Sequence, residues 1–397
     1  MGELLRGLNR VQDAPVEGKK VLVRVDYNVP LKDGSVADDS RIRGSLPTLE
    51  HLLERGARPI LLTHLGRPEG KVVPELRLDP VATALRALID HPVQKLDDCV
   101  GASVEEAIGA ADPGTIVLLE NVRFHPEETA NEAQFARQLA GLGELFVNDA
   151  FATLHRAHAS TLGISDYLPS FAGMLVEQEV DVLSRLTGGP ERPYVAIIGG
   201  KKARSKLGAV RGLLERVDGL LIGGGVAFTF LRATGTNVGA SLVDESLLDE
   251  IGGLVRAAKE AQIDILLPQD VVVAQALEED AATETCDVAT IPSGWMGLDI
   301  GPKTVDAFAE RIAAAKTVVW AGPMGAFEVG PFASGTEGIA RAMAASDAFT
   351  VVGGGETGEA VTTMGYGDRM SYISTGGGAC LALLRGKVLP ALEALRS

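Results

Sequence analysis

Short, continuously apolar runs alternate with segments of helical periodicity along most of this chain, and this alternation limits the possible folds more than any other feature. In the first part, strand-like runs rich in Val, Ile and Leu occur at 21–25, 58–63, 92–96, 115–121 and 145–149. Helical patterns separate them at 46–55, 81–89, 104–110 and 132–142. Continuous apolar runs are typical of strands buried on both faces of a parallel sheet, and strand–helix–strand order predicts right-handed βαβ units.

The alternation pauses at 166–170, continues through one amphipathic stretch at 174–186, and then resumes. Further strands are predicted at 194–198, 219–222, 263–267, 317–320, 349–352 and 372–374. Further helices are predicted at 206–216, 226–234, 247–261, 305–315, 337–345 and 379–395. The sequence therefore predicts an α/β protein with two Rossmann-like, doubly wound parallel-sheet domains joined by a helix. We place the first domain at 1–172, the interdomain helix at 173–187 and the second domain at 188–378.

Length and charge narrow the possible functions. A chain of 397 residues is too long for one typical hydrophobic core, which agrees with two domains. The formal charge of −16 argues against nucleic acid and anionic membrane surfaces, because both favour basic stripes. Cys99, Cys286 and Cys380 form no CxxC pair, so neither a disulfide framework nor a zinc site is expected. Without a signal peptide or an apolar span of ~20 residues, the chain is expected to be soluble and cytoplasmic.

Arginine and histidine stand where the strand-like runs of the first half end, although the chain as a whole is strongly acidic. These cationic segments lie at 23–28, 63–68, 120–125 and 155–158. An acidic chain repels anions at long range, so local clusters of cations at strand ends indicate a small, multiply charged anion held there. The pattern favours an enzyme that handles phosphate groups.

Glycine replaces these cations at the strand ends of the second half. Glycine-rich turns follow predicted strands at 199–200, 223–225, 353–355 and 376–378. Glycine lets backbone amides approach a ligand closely, and a following helix N-terminus favours an anion, so the four turns together favour a nucleotide site. No turn fits the P-loop or the dinucleotide fingerprint. The basic run 201–206, which contains Lys202 and Lys206, is either a solvated helix face or a part of this site.

Taken in order, these motifs resemble phosphoglycerate kinase over nearly the whole chain. The blocks that carry the resemblance are 24–30, 64–68, 120–125, 155–160, 223–225, 295–303, 322–325 and 374–378. The resemblance implies a cytoplasmic, usually monomeric glycolytic kinase that acts on small molecules. It would transfer a phosphoryl group reversibly from 1,3-bisphosphoglycerate to ADP, giving 3-phosphoglycerate and Mg-ATP. It also implies that a C-terminal helix over 379–397 docks on the first domain, and that a hinge near 177–186 and 374–378 closes.

The resemblance further implies roles for individual residues. The glycerate substrate would be bound by Asp26, Asn28, Arg41, His64, Arg67, Arg123 and Arg156. The nucleotide would be bound by Lys202, Lys206, Gly297, Glu328, Gly353, Gly354, Gly355, Glu356 and Thr357. Glu356 would reach Mg²⁺ directly or through a metal-bound water, and Arg41 and Lys206 would flank the transferring phosphoryl as the catalytic pair. Without the resemblance, nothing in the sequence ranks Arg41 above Arg43.

The residue chemistry suits this reaction independently. The nucleophile is a phosphate oxygen of ADP or, in reverse, a carboxylate, and both are ionised at neutral pH, so no general base is needed. The enzyme then has only to position the substrates and to cancel the charge on the transferring group, and arginine and lysine supply both functions. His64, His155 and His158 are therefore expected to hydrogen-bond or to orient an arginine, without proton transfer. Asp26 is expected to accept a hydrogen bond from an arginine or a substrate hydroxyl.

Four departures from the family pattern lie in the nucleotide half. Ser205 and Glu356 each stand where the family usually has Asp, and Ala321 stands where it has Asn. The fourth is the presence of additional cations, Lys201 and Arg204, in the basic run 201–206. We expect weaker or retuned nucleotide binding with phosphoryl transfer retained. Two alternatives are a non-catalytic relative that binds triose phosphate or nucleotide, and a kinase for a different small carboxylic acid.

Overall fold

Successive residues of the buried strands point into two different hydrophobic layers. In the computed structural model, which describes residues 3–396, Val21 and Val23 pack into one core and Leu22 packs into another. Leu61 and Ile60 divide between the two cores in the same way. A sheet covered by helices on both faces requires this pattern. The prediction of strands buried on both faces is therefore confirmed.

The chain divides into two compact units, and the first contains the residues up to Ser184 together with those from Val388 onward. Its strands are β1 (Lys20–Arg24), β2 (Leu31–Lys32), β3 (Ser35–Val36), β4 (Arg58–Leu62), β5 (Val93–Lys95), β6 (Ile116–Leu118), β7 (Leu145–Asn148) and β8 (Ser170–Ala172). Its helices include α1 (Ser40–Glu54), α2 (Asp79–Leu88), α3 (Ala102–Ala110), α4 (Pro126–Ala130), α5 (Ala133–Ala140) and the start of α6 (Met174–Thr187). The main sheet is parallel, in the order β5-β6-β4-β1-β7-β8. The chain thus winds to both sides of β1.

The second unit, Arg185–Lys387, repeats this architecture. Its strands are β9 (Tyr194–Ile198), β10 (Gly219–Ile222), β11 (Asp264–Leu266), β12 (Asp270–Ala274), β13 (Glu284–Asp287), β14 (Met296–Ile300), β15 (Thr317–Ala321), β16 (Phe349–Gly353) and β17 (Tyr372–Ser374). Its helices include α7 (Ala203–Leu214), α8 (Gly224–Ala233), α9 (Leu248–Glu260), α10 (Pro302–Ala314), α11 (Ser334–Ala345), α12 (Glu356–Thr363) and α13 (Gly377–Leu384). The parallel sheet has the order β11-β10-β9-β15-β16-β17, which corresponds to the strand order 3-2-1-4-5-6 of dinucleotide-binding folds. The prediction of two doubly wound sheets is confirmed.

Several elements differ from the prediction. Strands β12, β13 and β14 form a small antiparallel sheet that the sequence pattern did not indicate, because β13 is short and largely exposed. The hairpin of β2 and β3 was also missed. Helix α1 begins at Ser40, six residues before its predicted start, because its first turn holds a single apolar residue, Ile42, and so shows no apolar periodicity.

The predicted single helix over 379–395 is wrong. Helix α13 ends at Leu384, Gly386 follows with a φ of 72°, and a separate short helix, α14 (Pro390–Glu393), begins at a proline. Helix α13 belongs to the second unit, and α14 belongs to the first. The end of the chain is held to its beginning, since the Asn9 amide donates to the Leu395 carbonyl at 2.9 Å.

Buried aspartates accept hydrogen bonds from the first turns of three helices. Asp149, which follows β7, accepts from the Leu175 amide of α6 at 2.9 Å. Asp299 accepts from the Gly335 amide of α11 at 2.6 Å, and Asp270 accepts from the Thr304 amide of α10 at 2.8 Å. Such contacts satisfy amides that a helix leaves unpaired. Burial nevertheless raises the pKa of both Asp149 and Asp299 to about 7.

The helices are suited to covering sheets. The longest, α1, has 15 residues, and its buried side chains such as Ile42, Leu49 and Leu52 face the first core.

Within residues 3–396, no helix combines the length and the apolar character that crossing a membrane requires.

Candidate active site

The carboxyl edge of the first sheet gathers the cationic segments that the sequence placed at strand ends. Arg24 ends β1, the segment 63–68 follows β4, and the segment 120–125 follows β6. The segment 155–160 comes after β7, which pairs with β1 on its other side. The carboxyl ends of parallel strands share one edge, and the winding direction reverses at β1. The sheet therefore brings these segments together.

Arg24 lies beneath this edge and links three of the segments. Its side chain is 1% exposed, and its Nε donates to Ser160 Oγ at 2.9 Å. Its two terminal nitrogens donate to the Val25 carbonyl and, at 3.1 Å, to His64 Nδ1. Burial lowers the pKa of Arg24, whereas nearby carboxylates, Glu128 first, oppose this shift. Each of its three nitrogens has a partner in the protein, so Arg24 holds the site together from below.

His64 is a buried, neutral imidazole. Burial lowers its pKa well below the usual value, and the neighbouring guanidinium groups of Arg24, Arg123 and Arg156 lower it further. A guanidinium can only donate, so the Nδ1 atom that faces Arg24 must be the acceptor, and the ring carries its proton on Nε2. This arrangement leaves His64 able to donate one hydrogen bond, and it gives the ring no role as a proton acceptor at neutral pH.

The structure distinguishes the two arginines that the sequence could not rank. Arg41, in the first turn of α1, donates to Asp26 Oδ2 at 2.5 Å, and the Asp26 side chain is only 7% exposed. Arg43 instead forms a surface ion pair with Asp39, with Nε to Oδ1 at 2.8 Å, and its side chain is 59% exposed. Arg41 thus belongs to the strand-end cluster, and Arg43 does not.

Two asparagines fix the loop after β4. Asn28 Oδ1 accepts from the Gly66 amide at 2.8 Å. Asn121, which is fully buried, donates to the Leu65 carbonyl at 2.8 Å and accepts from the Arg123 amide at 3.1 Å. Asn121 therefore ties the β4 loop to the β6 loop. The sequence motifs gave this residue no role, although an amide side chain between an apolar strand and a strand-end arginine is a usable signal.

Three arginines line an open cavity of about 460 Å³ at this edge, namely Arg67, Arg123 and Arg156. Arg123 donates to the Gly66 carbonyl at 2.7 Å, and burial, with the charges of Arg156 and Arg24, lowers its pKa to about 10. The pKa of Arg156 is also lowered, by burial and by the positive charges of Arg67 and Arg41. Cations that repel one another around a cavity would be relieved by a bound anion.

The two histidines of the 155–160 segment contact groups beside this cavity. Arg156 Nε donates to His155 Nε2 at 3.3 Å, and burial lowers the pKa of His155. His158 lines the cavity, and its Nδ1 lies 3.7 Å from the buried carboxylate of Glu128. Both histidines therefore have partners in the protein, which is compatible with an orienting role.

The second sheet reverses its winding direction between β9 and β15, and glycine turns follow both strands. Gly199 and Gly200 come after β9, and Gly322 comes after β15. A Cβ atom added at Gly322 would lie 2.2 Å from the Gly199 carbonyl oxygen. The two turns can pack against each other only without side chains. The sheet thus presents backbone at its carboxyl edge, where the first sheet presents charged side chains.

The turn that contains Gly353, Gly354, Gly355, Glu356 and Thr357 continues this backbone surface. Gly354 packs so closely that a Cβ atom there would lie 2.0 Å from the Ser374 carbonyl oxygen, at the end of β17. Thr357 Oγ1 accepts from the Gly322 amide at 2.7 Å, which ties this turn to the one after β15. Glu356 is exposed on the first residue of α12.

The basic run 201–206 has two different surroundings. Lys206 is partly buried, and burial lowers its pKa while the negative charge of Glu356 opposes the shift. Lys202 is exposed at the start of α7, where its carbonyl accepts from Ser205 Oγ at 2.8 Å. Lys206 and Glu356 are therefore close enough to interact electrostatically.

Arg204 and Lys201, the additional cations of the basic run 201–206, both lie at the surface. Arg204 donates to Ser246 Oγ at 2.5 Å and forms an ion pair of 3.2 Å with Asp244. Its side chain is 66% exposed, and Lys201 is exposed as well. This part of the run is a solvated helix face.

Gly297 and Glu328, the remaining predicted nucleotide residues, lie outside the glycine turns. Gly297 is on β14, where a Cβ atom would lie 2.1 Å from the Phe228 ring, and its amide donates to Ser241 Oγ at 2.9 Å. Glu328 is exposed in the segment between β15 and α11.

The donor chemistry of the second unit fits a magnesium ion that is carried by a nucleotide. Mg²⁺ keeps several waters, and at nucleotide sites it takes one or two carboxylates together with phosphate oxygens. Glu356 offers an exposed carboxylate at a helix start, directly after Gly355, whose Cβ position has no atom within 4 Å. Within residues 3–396, Glu356 belongs to no cluster of three or more potential metal ligands. It is suited to assisting a metal–nucleotide complex rather than to holding a bare ion.

Comparison with known proteins assigns both units to one family. The family model described as phosphoglycerate kinase matches residues 11–387. The phosphoglycerate kinase of Moorella thermoacetica is 52% identical over 385 residues, which cover 97% of this chain and 98% of that protein. The phosphoglycerate kinase of Rubrobacter xylanophilus is also 52% identical over 385 residues, with 97% of each chain covered.

Solved structures agree with these sequence matches. The phosphoglycerate kinase structure from Coxiella burnetii superposes with a TM-score of 0.84 at 40% identity, covering 98% of this chain and 99% of that chain. The structure of the enzyme from Pyrococcus horikoshii has the same TM-score at 32% identity and covers 98% of each chain. The match therefore extends over both strand-end sites.

Proposed function

The chain belongs to the phosphoglycerate kinase family, and from this premise we propose how its two strand-end sites divide the reaction. The protein is a glycolytic enzyme that transfers a phosphoryl group reversibly from 1,3-bisphosphoglycerate to ADP, giving 3-phosphoglycerate and ATP. The first unit binds the glycerate substrate, and the second binds the nucleotide. The observation that carries this division is that three arginines line one cavity in a chain with a net charge of −16.

The glycerate side uses fixed charges. Arg67, Arg123 and Arg156 face the cavity and are suited to the phosphate and carboxylate groups of the substrate, because a guanidinium offers two parallel donors. His64 donates from Nε2. Asp26 is repelled by an anionic substrate, so it acts by holding Arg41. Asn28 acts on the backbone of the β4 loop through Gly66, a segment that also carries Arg67.

The nucleotide side uses backbone amides and lysine. Gly353, Gly354 and Gly355 allow the phosphates to approach the start of α12, and Thr357 holds this turn in place. Further nucleotide contacts are assigned to Lys202, Lys206, Gly297, Glu328 and Glu356. When bound, Mg²⁺ neutralises phosphate charge, and Glu356 would hold it directly or through a metal-bound water.

Arg41 and Lys206 form the proposed catalytic pair. The attacking oxygen is already ionised in either direction, so the protein needs to supply positioning and charge and no general base. Arg41 is held by Asp26, and Lys206 is partly desolvated, which strengthens its interaction with a transferring phosphoryl group. Each donor is expected to contribute about 3–4 kcal/mol to transition-state stabilisation.

Because the two substrates bind to different units, transfer requires that they be brought together. We propose a closing motion with hinges near 177–186 and 374–378. X-ray scattering tests this closing motion: an unchanged radius of gyration when both substrates are added would exclude closure.

We further propose that the enzyme works as a monomer in the cytoplasm, with no nucleic-acid or membrane partner.

The departures from the family pattern affect the nucleotide side. Ser205 stands where the family has a carboxylate, and its hydroxyl donates to the Lys202 carbonyl. Ala321 is buried at the end of β15, where the amide of the usual Asn is lost. Each lost polar partner costs about 1 kcal/mol, so we propose weaker nucleotide binding with phosphoryl transfer retained.

A coupled assay with 3-phosphoglycerate, ATP and Mg²⁺ tests this proposal, using the parent, Lys206→Ala and the matched control Lys201→Ala. We expect Lys206→Ala to reduce turnover by about 10²- to 10³-fold. Lys201→Ala should stay close to the parent, because Lys201 lies on the solvated face. If the parent binds both substrates and turns neither over, the alternative of a non-catalytic relative applies, and Glu356 becomes the first residue to restore to Asp.

A further inference from the structure

A fully buried glutamate lies behind the glycerate site, and no step of the mechanism uses it. Glu128, on the short helix α4, is 0% exposed. Its Oε2 accepts from the Ser160 amide at 2.8 Å, and its Oε1 accepts from Ser160 Oγ at 2.7 Å. Burial raises its pKa, but contacts with His158, Arg24 and Ser160 outweigh burial, so the pKa lies below its usual value. Glu128 is therefore an anion buried beneath a cationic site.

Glu128 is linked to Arg24 through the hydroxyl group of Ser160, and His158, which lines the cavity, lies 3.7 Å from the same carboxylate. Ser160 Oγ donates to Glu128, so the same oxygen is free to accept, and Arg24 Nε donates to it at 2.9 Å. Among the charges that stabilise the buried Arg24 guanidinium, Glu128 ranks first and Asp26 second. A buried cation without a counter-charge is costly, so the position of Arg24 depends on this carboxylate.

From Arg24 the contacts continue to the residues of the proposed mechanism. Its terminal nitrogens donate to His64 Nδ1 and to the Val25 carbonyl, directly before Asp26. Asp26 in turn holds Arg41. The groups from Glu128 through Ser160 and Arg24 to His64 and Asp26 are all at most 7% exposed. Water therefore offers little replacement if one of these links is removed.

We propose that Glu128 is a positioning residue for phosphoryl transfer, which acts through Ser160 and Arg24 to set the tautomer of His64 and the placement of Asp26 and Arg41. The inference rests on the proposed role of the glycerate site. It assigns to Glu128 no contact with substrate. It differs from a purely structural role, in which Glu128 would only anchor helix α4 to the 155–160 segment.

The variant Glu128→Gln removes the charge and keeps the shape, and Glu127→Gln makes the same change one residue away on α4. We expect Glu128→Gln to lower kcat/KM for 3-phosphoglycerate by about 10- to 100-fold, because small misplacements of reacting groups are costly. The KM for ATP should change less than about twofold, since the nucleotide binds to the other unit. Glu127→Gln should match the parent in both values.

Nitrogen NMR of the His64 ring distinguishes the two roles, because the ring signals should not change if Glu128 only anchors helix α4. The chain has 6 histidines, so comparison with His64→Gln identifies the signal. In the parent, His64 should show the Nε2-protonated neutral tautomer, and Glu128→Gln should shift the Nδ1 signal as Arg24 moves. The proposal is overturned if Glu128→Gln matches Glu127→Gln in both kinetics and ring signals, or if the KM values for both substrates rise equally.

Ser160→Ala decides the case if Glu128→Gln does not fold, because it removes the link and keeps the carboxylate. Parent-like kcat/KM and His64 signals in Ser160→Ala would then overturn the proposal, and a shift in both would support it. Arg41→Ala separates this inference from the proposed function. If Arg41→Ala leaves turnover unchanged, the role of Arg41 fails, whereas the effect of Glu128 on His64 is still measured directly.

Discussion

The carboxyl edges of the two parallel sheets are proposed to bind anions by different means. At the first edge the groups are side chains, and each cation needs support, as Arg41 has from Asp26 and Arg24 from Glu128. At the second edge the turns are backbone, and their shape depends on the absence of Cβ atoms, as at Gly354. Substitutions should therefore impair the first edge when they remove a charge, and the second edge when they add a side chain that causes a steric conflict.

The largest expected effect is at the first edge. Arg41→Ala should reduce kcat by about 10²- to 10³-fold, because it removes a positive charge proposed to act on the transferring phosphoryl group. Arg43→Ala is the matched control, since Arg43 pairs with Asp39 at the surface. Steady-state kinetics of both variants, with circular dichroism to confirm folding, make the test. Equal kcat values in the two variants would remove Arg41 from the mechanism.

One buried aspartate in each unit permits a comparison by pH. The pKa of Asp149 and that of Asp299 are raised to about 7, so between about pH 4 and 7 the unfolded chain has lost a proton that the folded chain retains. Stability from these groups therefore falls as pH rises through this range. Asn does not titrate. As the pH rises from 4 to 8, the free energy of unfolding of Asp149→Asn and of Asp299→Asn should each increase relative to the parent by on the order of 2–4 kcal/mol.

Urea unfolding at several pH values measures this effect. Trp295 and Trp320 both lie in the second unit, so tryptophan fluorescence follows Asp299→Asn, and circular dichroism follows Asp149→Asn. A difference between variant and parent that is constant with pH would show that burial does not raise these pKa values.

The steric prediction concerns the second edge. Gly354→Ala should lower the free energy of unfolding of the second unit by about 1–3 kcal/mol and raise the KM for ATP, because the new methyl group meets the Ser374 carbonyl. Gly109→Ala, in α3, is the control, since no atom lies within 4 Å of its Cβ position. It should be neutral or stabilising by up to about 1 kcal/mol. If Gly354→Ala changed neither the free energy of unfolding nor the KM for ATP, the turn would be able to move enough to accept the methyl group.

The smallest effect is expected for an additional cation of the nucleotide half. Arg204→Ala should change stability by less than about 0.5 kcal/mol and the KM for ATP by less than about twofold, because the Arg204–Asp244 pair is exposed. Lys202→Ala, at the proposed nucleotide site, serves as the contrast. A large rise in the KM for ATP with Arg204→Ala would place this cation in the nucleotide site.

The alternation of apolar runs predicted the two parallel sheets because each central strand is buried on both faces, which leaves a strong signal in composition. The β2–β3 hairpin was missed, although its turn, Asp33 and Gly34 with φ values of 51° and 74°, is a recognisable type I′ pair. The antiparallel sheet left no comparable signal, since β13 is exposed and polar.

The proposed site residues came from the resemblance, and periodicity alone indicated only where cations and glycines cluster. Asn121 and Ser160 lie inside the motif blocks but were given no role, and Glu128 lies outside those blocks. Their roles depend on contacts between segments far apart in sequence, such as Glu128 with Ser160 and Arg24 with Ser160 across 136 positions. No local pattern reports such pairings.

The first unit is completed by the last residues of the chain, and this has a consequence for biosynthesis. Residues 185–387 interrupt the first unit, so a ribosome must translate that entire segment before the Leu395 carbonyl can meet the Asn9 amide. At ordinary elongation rates the delay is roughly 10–40 s. Proteolysis of stalled chains would show whether the glycerate half stays open until then. If so, the nucleotide half matures first, although it is encoded second.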